Sequence, residues 1–433
     1  MLYSLQLILY LDLSKSQRRS LFTVLTVVFI DLPGFGIIIP ILPYYAESFG
    51  ANALIIGLLT ASYSITQFFA LPVLGRLSDQ RGRRPILIFS ILGSVIAWTL
   101  FGLASSLIFL FIARLIAGAM GGNIAAAQAY IADITSEEDR AAGLGLIGAA
   151  FGLGFVFGPG LGALMSYGPT VQFFSDILGF LTINKYTLPS FTAAALSLLN
   201  LGMAYAFLPE TKADFSVKGE MGISALKDAL SDSKLRKLIT SFFLTSFAFS
   251  GMEVMFLPYL QDKFGFSTTQ GGLLLVYVGV LIAIIQGGLI RKLTERYDES
   301  YLGIAGAIIG GIGLALIPFA PQIGNILWFI PGQAILTPGL IALLVILAVY
   351  AFGNGVLNVS LNTLVSRSAD SSMQGGAFGL TQSAGSLARA TGPVIAGGLY
   401  TYFAYWSPFL FGSLLVAAVF YILYTAYFVY REN

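Results

Sequence analysis

The turn Gly75-Arg76-Leu77-Ser78-Asp79-Gln80-Arg81-Gly82-Arg83-Arg84-Pro85 carries five charges and separates two long apolar segments. Charge is scarce elsewhere, because only 10% of the 433 residues are charged whereas 57% are hydrophobic. Ordinary soluble domains carry about 25% charged residues. Long apolar segments joined by short charged turns are typical of helices that cross a lipid bilayer. The turn therefore predicts a membrane protein whose charged loops lie at the membrane surfaces.

Apolar segments long enough to cross a membrane recur along the whole chain. A spanning helix needs about 20 apolar residues. The first six predicted spans are residues 20–46, 52–76, 85–104, 107–132, 140–166 and 189–208. The other six are residues 237–261, 268–290, 301–319, 338–365, 373–402 and 406–429. We predict an all-α integral membrane protein with twelve transmembrane helices in two pseudo-symmetric six-helix bundles.

The longest strongly polar stretch lies between the two sets of spans and sets the domain boundaries. This stretch, residues 209–237, holds six of the 23 basic residues, and it predicts a cytoplasmic linker at residues 209–236. The N-terminal bundle is predicted at residues 20–208 and the C-terminal bundle at residues 237–430. Residues 1–19 are predicted to form an N-terminal cytoplasmic lead. Their basic residues follow the apolar stretch, whereas in a signal peptide they would precede it.

The distribution of basic residues predicts the orientation of the chain. Cytoplasmic loops of membrane proteins carry an excess of Lys and Arg. With the N-terminus inside, 19 basic residues fall on the cytoplasmic side, and only Lys185 and Lys263 fall outside. The remaining two, Arg114 and Arg389, lie within spans. Both termini are therefore predicted to be cytoplasmic, in a cell (inner) membrane.

Composition also excludes several classes of function. The sequence has no cysteine and no histidine, so it cannot form a disulfide, a thiolate nucleophile or a Cys/His metal site. A proton carrier in this chain would have to be a carboxylate, because the imidazole group is absent. No nucleotide-binding Gly-Lys loop and no nucleophile–base constellation are present in the sequence. We expect no enzyme activity, cofactor, metal or nucleic-acid partner.

Four further segments fit a known pattern together with the charged turn. Span 1 contains DLPGFGIIIPILP (residues 31–43), span 4 RLIAGAMGG (114–122), and span 5 GAAFGLGFVFGPGLG (148–162), while LPET (208–211) closes span 6. These segments and the turn resemble signatures of the major facilitator superfamily, in its drug:proton antiporter branch, which includes tetracycline and multidrug efflux proteins. The resemblance covers nearly the whole chain. It implies a secondary transporter that works by alternating access, and we expect a monomer.

The glycine-rich segment of span 5 has two readings. Its small residues recur at three- and four-residue spacing, which lets helices approach closely. The resemblance implies a face that packs against the opposite half and seals or hinges the pathway, whereas the simpler reading is ordinary helix packing. Gly145, Gly158 and Pro159 recur at a constant offset as Gly379, Gly392 and Pro393 in span 11. The motif residues are Gly148, Gly152, Gly154, Gly158, Pro159 and Gly162.

Charges inside spans are the candidate proton-coupling residues. A lone charge within a membrane is costly and usually faces a cavity or a partner. Asp31 in span 1 and Arg114 in span 4 are predicted at similar depth, so they can pair. The resemblance implies that the acid is the proton site and that the arginine influences its protonation. The alternative is a permanent ion pair that only orients two helices.

Glu253 in span 7 and Arg389 in span 11 form a second candidate pair. Glu253 is a third candidate for proton coupling. Arg389 departs from the family pattern, so the resemblance assigns it no role. It either attracts an anionic substrate or neutralises Glu253.

Uncharged polar residues within spans are candidates for a substrate cavity. Asn354, Asn358 and Asn362 recur every fourth residue and form one polar stripe on span 10, and Gln128 lies in span 4. Such side chains either line a wet pathway or hydrogen-bond between helices. We expect the asparagine stripe to line the pathway. Gln128 and Arg389 are further cavity candidates, although helix packing is the favoured role for a single glutamine and the two alternatives for Arg389 stay open.

The resemblance gives the opening turn a conformational role. It implies that Asp79 meets the N-terminus of span 11, where unpaired amides and the helix dipole favour an anion. It also implies that Asp79 is linked to Arg83 and to Asp133 at the end of span 4, with Gly75 and Gly82 shaping the turn. Such a latch would close the cytoplasmic side. The alternative is that these arginines only anchor the topology.

The leading hypothesis is proton-coupled export of a small amphipathic compound across the lipid bilayer. One alternative is a major facilitator uniporter or symporter for a sugar, a lipid or an organic anion. A non-transporting membrane receptor or assembly factor is the alternative from another class. The sequence does not identify the substrate.

Overall fold

The computed structural model describes residues 15–121, 123–135, 140–179, 182–211, 232–327, 337–368 and 374–429. Helices joined by turns and short irregular segments make up this described part, with no strand among its residues. The first half of the chain contains nine described helices. They are α1 (Lys15–Ile38), α2 (Leu42–Ser48), α3 (Ala53–Arg81), α4 (Arg83–Gly102), α5 (Leu107–Met120), α6 (Asn123–Ile134), α7 (Arg140–Met165), α8 (Gly168–Ile177) and α9 (Thr187–Phe207).

The second half contains eight described α-helices. They are α10 (Ser233–Phe264), α11 (Thr268–Ile284), α12 (Ile290–Thr294), α13 (Glu299–Leu316), α14 (Ala320–Leu327), α15 (Pro338–Ser368), α16 (Gln374–Tyr402) and α17 (Ser407–Tyr424). Short turns of π- and 3-10 helix join some of them. A π-turn follows α11 (Ile285–Leu289), a 3-10 turn joins α13 to α14 (Ile317–Phe319), and a second π-turn extends α17 (Thr425–Val429).

These helices follow the twelve predicted spans, with local differences. Span 1 is broken into α1 and α2 around Pro40, which has no backbone N–H to continue the helix. In span 4, α5 ends at Met120, Gly121 lies in a turn, and α6 begins at Asn123. Helix α8 was not predicted, since its ten residues are too short to cross a membrane. The predicted lead and most of the predicted linker lie outside the described residues, whereas α1 already begins at Lys15 and α10 at Ser233.

By length and composition alone, seven of the described helical segments are long and apolar enough to cross a membrane. Four shorter apolar helical segments supplement them, at residues 20–30, 107–120, 156–165 and 268–284.

The two halves of the chain share one packing pattern. In the first half, α1 packs against α6, α7 and α9, while α4 packs against α5, α6 and α9. In the second half, α10 packs against α15, α16 and α17, while α13 packs against α15 and α17. In terms of the predicted spans, span 1 contacts spans 4, 5 and 6 in the same way that span 7 contacts spans 10, 11 and 12. Span 3 contacts spans 4 and 6 in the same way that span 9 contacts spans 10 and 12. The halves are therefore pseudo-symmetric six-helix bundles.

The described helices group into two compact units. The first unit contains α1, α2, α4 to α9 and most of α3, together with residues Ser267–Val276 at the beginning of α11. The second unit contains α10, α12 to α17 and the rest of α11, together with residues Ala51–Ala61 at the beginning of α3. Each unit thus includes the first turns of one helix from the other half of the sequence.

Candidate functional site

Arg83 is the centre of an ion-pair network at the end of the first bundle. It is the first residue of α4, and its side chain is only 8% exposed. Its Nη1 donates to Asp79 Oδ1 at 2.7 Å and to Ser78 Oγ at 3.0 Å, while its Nε donates to Asp133 Oδ2 at 2.9 Å. The structure therefore brings together the three charged residues predicted for the latch and ties α3, α4 and α6 to one guanidinium.

Glu210 joins this network from the end of α9. Its carboxylate accepts the backbone N–H of Arg83 at 2.9 Å and that of Arg84 at 3.1 Å. These are two of the amides that a helix leaves unpaired at its beginning, where a negative charge is also favoured by the dipole. The LPET segment was recognisable in the sequence, but no role was predicted for Glu210. Its only sequence signal was an acidic residue just after a span.

Gly82 makes this arrangement possible, whereas Gly75 has no comparable constraint. Gly82 has a φ of 101°, and a Cβ at this position would lie 2.3 Å from Glu210 Oε2. A side chain would therefore strain the backbone and displace the carboxylate. Gly75 lies inside α3, and no described atom lies within 4 Å of the position that its Cβ would occupy.

The second bundle contains a matching pair with the charges exchanged. Glu299 is the first residue of α13, as Arg83 is of α4, and Arg367 is the next-to-last residue of α15, as Asp133 is of α6. Arg367 Nη1 donates to Glu299 Oε2 at 2.5 Å, and the glutamate side chain is 9% exposed. This pair was not predicted from the sequence. Spans 9 and 10 are thus joined as spans 3 and 4 are, with reversed polarity.

We expect the protein to tolerate a swap of Glu299 and Arg367, but not a reversal of charge at only one of the two positions. Arg367→Glu places two carboxylates together and should lower the free energy of unfolding by about 1–2 kcal/mol. The double variant with Glu299→Arg and Arg367→Glu should recover at least half of that loss. Thermal unfolding of the purified protein measures the loss and the recovery. Arg296→Glu, just before α13, is the control for a general change in charge. A double variant no more stable than Arg367→Glu would contradict the pairing.

Arg114 is a deeply buried cation inside the first bundle. It lies on α5 with 3% exposure. Its Nε and Nη1 atoms are buried and make no hydrogen bond to any described residue. Its predicted partner, Asp31, lies in α1, but the side chain of Asp31 is outside the described part of the structure. The guanidinium is therefore placed to receive an anionic group.

An aromatic ring packs against the guanidinium of Arg114, a contact that was not predicted from the sequence. Its guanidinium carbon lies 4.5 Å from the ring centre of Tyr63 on α3, and such a contact stabilises a desolvated cation by about 2 kcal/mol. Gln67 Nε2 bridges the Tyr63 hydroxyl at 3.3 Å and the Gly121 carbonyl at 3.2 Å. Gly118 lets the helices meet here, since a Cβ would lie 2.2 Å from the Tyr63 carbonyl.

The residues of the second predicted pair lie on α10 and α16 of the second bundle. Glu253 on α10 is half-buried and has Arg389 of α16 and Tyr350 of α15 within electrostatic range. Arg389 is exposed, and its Nη2 donates to Ser386 Oγ at 3.2 Å. Spans 10 and 11 thus each place one polar side chain within electrostatic range of Glu253 on span 7.

The predicted asparagine stripe is present on α15. Asn354, Asn358 and Asn362 are all half-buried. Asn362 Nδ2 donates to the backbone carbonyl of Asn358 at 2.9 Å and to its Oδ1 at 3.0 Å, so these two are bonded along one helix. Gln128, on α6 of the other bundle, is exposed.

The glycines of α7 pack on two sides within the first compact unit. A Cβ on Gly158 would lie 2.4 Å from the Cα of Gly36, and one on Gly162 would lie 2.7 Å from the Ile37 carbonyl, so this face meets α1 of the same bundle. On another side, a Cβ on Gly272 of α11 would lie 3.1 Å from the Pro159 carbonyl. The surroundings of Gly148 and Gly152 lie outside the described residues.

Twelve spans in two repeated bundles, with charges buried inside spans and ion pairs at their ends, define a membrane transporter. Residues 24–330 match the Major Facilitator Superfamily. The chain is 30% identical over 393 residues to the tetracycline resistance protein, class C, of Escherichia coli, with 88% of this chain and 90% of that protein covered. The protein belongs to the major facilitator superfamily and is a multi-pass integral membrane transporter.

Solved structures show the same fold. The crystal structure of the human organic anion transporter MFSD10 (TETRAN) is 24% identical, with a TM-score of 0.63, and covers 95% of this chain and 100% of that chain. A bacterial homologue of the human lysosomal transporter Spinster, solved inward-facing and unoccupied, is 16% identical, with a TM-score of 0.73, and covers 95% of this chain and 96% of that chain.

Proposed function

We propose that the protein exports a small amphipathic compound in exchange for protons by alternating access. The observation that carries this proposal is the buried guanidinium of Arg114, which has Nε and Nη1 without a described hydrogen-bond partner. A cation in this state stabilises an ionised carboxylate beside it, whereas burial stabilises the protonated acid. Asp31, on the neighbouring span, is the carboxylate that we assign to this site. Its protonation would then alternate with substrate binding.

The relatives support the export direction and the substrate class. One of them is named as a tetracycline resistance protein, and tetracyclines are small amphipathic compounds. We place both termini in the cytoplasm and the chain in the cell (inner) membrane, on the strength of the basic-residue bias. In this orientation, the Arg83 network lies at the cytoplasmic end of the first bundle. It would act as the latch that closes that side, with Asp79, Asp133 and Glu210 as its anions.

A specific observation favours a second candidate, export of an organic anion. Arg389 is exposed on α16 and lies near the half-buried Glu253, so a substrate carboxylate could compete with Glu253 for the guanidinium. The human structural neighbour is named an organic anion transporter. In this case Arg389, Asn354, Asn358 and Asn362 would line the cavity.

Transport by the reconstituted protein tests the proposal. Proteoliposomes containing a trapped pH dye should lose an imposed pH gradient when tetracycline is added, because each substrate molecule exchanges for protons. Liposomes without protein supply the control for passive permeation. An aromatic carboxylate such as p-aminohippurate serves as the organic anion probe. Substrate exchange that leaves the pH gradient unchanged for both probes would favour the uniporter and overturn proton coupling.

A further inference from the structure

A cavity of about 290 Å³ lies at the end of the second bundle, beside the Glu299–Arg367 pair. This volume is close to the lower limit of about 300 Å³ for pockets that hold small ligands. We call it the end cavity, and its polar lining comprises Lys234, Asp298, Glu299, Ser300, Arg367, Ser368 and Tyr427. They come from the beginnings of α10 and α13, the end of α15 and the π-turn after α17. The basic-residue bias predicts that these ends face the cytoplasm.

Both carboxylates of the end cavity already accept hydrogen bonds. Asp298 caps α13, since its Oδ1 accepts the backbone N–H of Ser300 at 2.9 Å and also the Ser300 hydroxyl. Glu299 Oε2 accepts from Arg367. Arg367 uses one of its five N–H donors in this bond, and its side chain is 64% exposed. One oxygen of each carboxylate is therefore engaged, whereas donors of Arg367 remain.

Two other hydrogen-bond donors of the cavity, on Lys234 and Tyr427, have no well-placed acceptor among the described residues. The Lys234 ammonium lies 4.9 Å from the ring centre of Tyr427, a contact that leaves its three N–H groups available. The Tyr427 hydroxyl lies beside Ser368 but is buried and makes no hydrogen bond of standard geometry to a described residue. A buried polar group without a partner costs free energy unless a ligand or water supplies one. The π-turn that carries Tyr427 is a kind of distortion frequently found at functional sites.

We propose that the end cavity binds a phosphate group. Phosphate oxygens are strong acceptors that Arg and Lys recognise through charge-assisted hydrogen bonds. The lining combines two cations with two carboxylates, so its formal charge is zero, and the phosphate group would be held by the donors that remain on Lys234, Arg367 and Tyr427. Basic pockets between transmembrane helices on the cytoplasmic side are places where anionic headgroups bind. The source of the phosphate group is a lipid headgroup or free phosphate, and the test distinguishes the two.

Ligand-dependent thermal unfolding of the full-length protein in detergent tests this site. The probes are dihexanoylphosphatidylglycerol, dihexanoylglycerol without a phosphate, and inorganic phosphate. A ligand that binds only the folded protein raises the Tm by mass action. We expect the phospholipid to raise the Tm in a saturable way and Lys234→Gln to weaken its apparent Kd about tenfold, the loss of one charge-assisted bond. Tyr427→Phe removes a single oxygen atom and should weaken the Kd several-fold.

Lys263→Gln is the matched control. Lys263 lies at the opposite end of α10 and also contacts a tyrosine ring, with its Nζ 3.7 Å from the ring centre of Tyr405. The Lys263→Gln variant should leave the Kd for the phospholipid unchanged. An equal Tm shift with inorganic phosphate assigns the site to free phosphate, and a shift confined to the phospholipid assigns it to a headgroup. The proposal is overturned if dihexanoylglycerol raises the Tm as much as the phospholipid, or if Lys234→Gln and Tyr427→Phe retain the wild-type Kd.

Discussion

Replacing Asp31 by asparagine is expected to abolish substrate-driven proton movement in proteoliposomes, down to the level of protein-free liposomes. Asparagine has nearly the same shape as aspartate but cannot bind and release a proton. The chain has no histidine or cysteine to take over this role. Arg114 would also lose the anion that we assign to it. The measurement is the dissipation of an imposed pH gradient on addition of tetracycline.

Two further variants make this prediction specific. Asp262 lies near the end of α10, where its Oδ2 accepts the Tyr400 hydroxyl at 2.5 Å, and Asp262→Asn should retain proton movement. Glu253→Gln removes the acid of the second bundle and tests the alternative proton site. Proton flux that survives in Asp31→Asn but disappears in Glu253→Gln would move the coupling site to the second bundle. Binding of tetracycline to detergent-solubilised Asp31→Asn separates a loss of coupling from a loss of substrate affinity.

The sequence was sufficient to predict the fold because a membrane imposes a simple rule on it. Each helix needs about 20 apolar residues, and the charged turns mark where each helix leaves the bilayer. The breaks in the helices were harder to predict. Pro40 interrupts span 1, whereas Pro72 and Pro159 lie inside continuous helices. Neighbouring helices can satisfy the backbone groups that a proline frees, so the outcome depends on packing that the sequence does not express.

The ion pairs of the candidate site could likewise be predicted only in part from the sequence. Arg83 and Asp133 were predicted because the family resemblance links them. Glu210 caps α4 across 127 positions of sequence, and Glu299 meets Arg367 across 68. Charge patterning alone does not show which helix ends meet, so these partners require the fold. The support of Arg114 by Tyr63 was missed for a similar reason, since one aromatic residue among many in apolar spans carries no distinguishing signal.

Replacing Arg83 by glutamine is expected to have the largest effect among the network variants. The change removes the guanidinium that Asp79 and Asp133 share, while the two carboxylates remain close together. Their side chains are 41% and 29% exposed, so water screens part of the cost. We expect the free energy of unfolding to fall by about 2 kcal/mol, below the 3–5 kcal/mol typical of a fully buried pair. Arg83→Lys keeps the charge but loses the planar fork, and should recover less than half of this loss.

The same variant tests the proposed latch. If the Arg83 network closes the cytoplasmic side, its loss should reduce the population that is open to the outside. The chain has no cysteine, so single cysteines introduced along residues 53–61 and 268–276 report outer access without background labelling by impermeant reagents. We expect their labelling rates to fall severalfold in Arg83→Gln, because a cost of 1.4 kcal/mol to one state changes the ratio of states tenfold. Arg81→Gln, exposed on the same turn, is the matched control and should leave the rates unchanged. Equal labelling in Arg83→Gln and the wild type would limit the network to a role in stability.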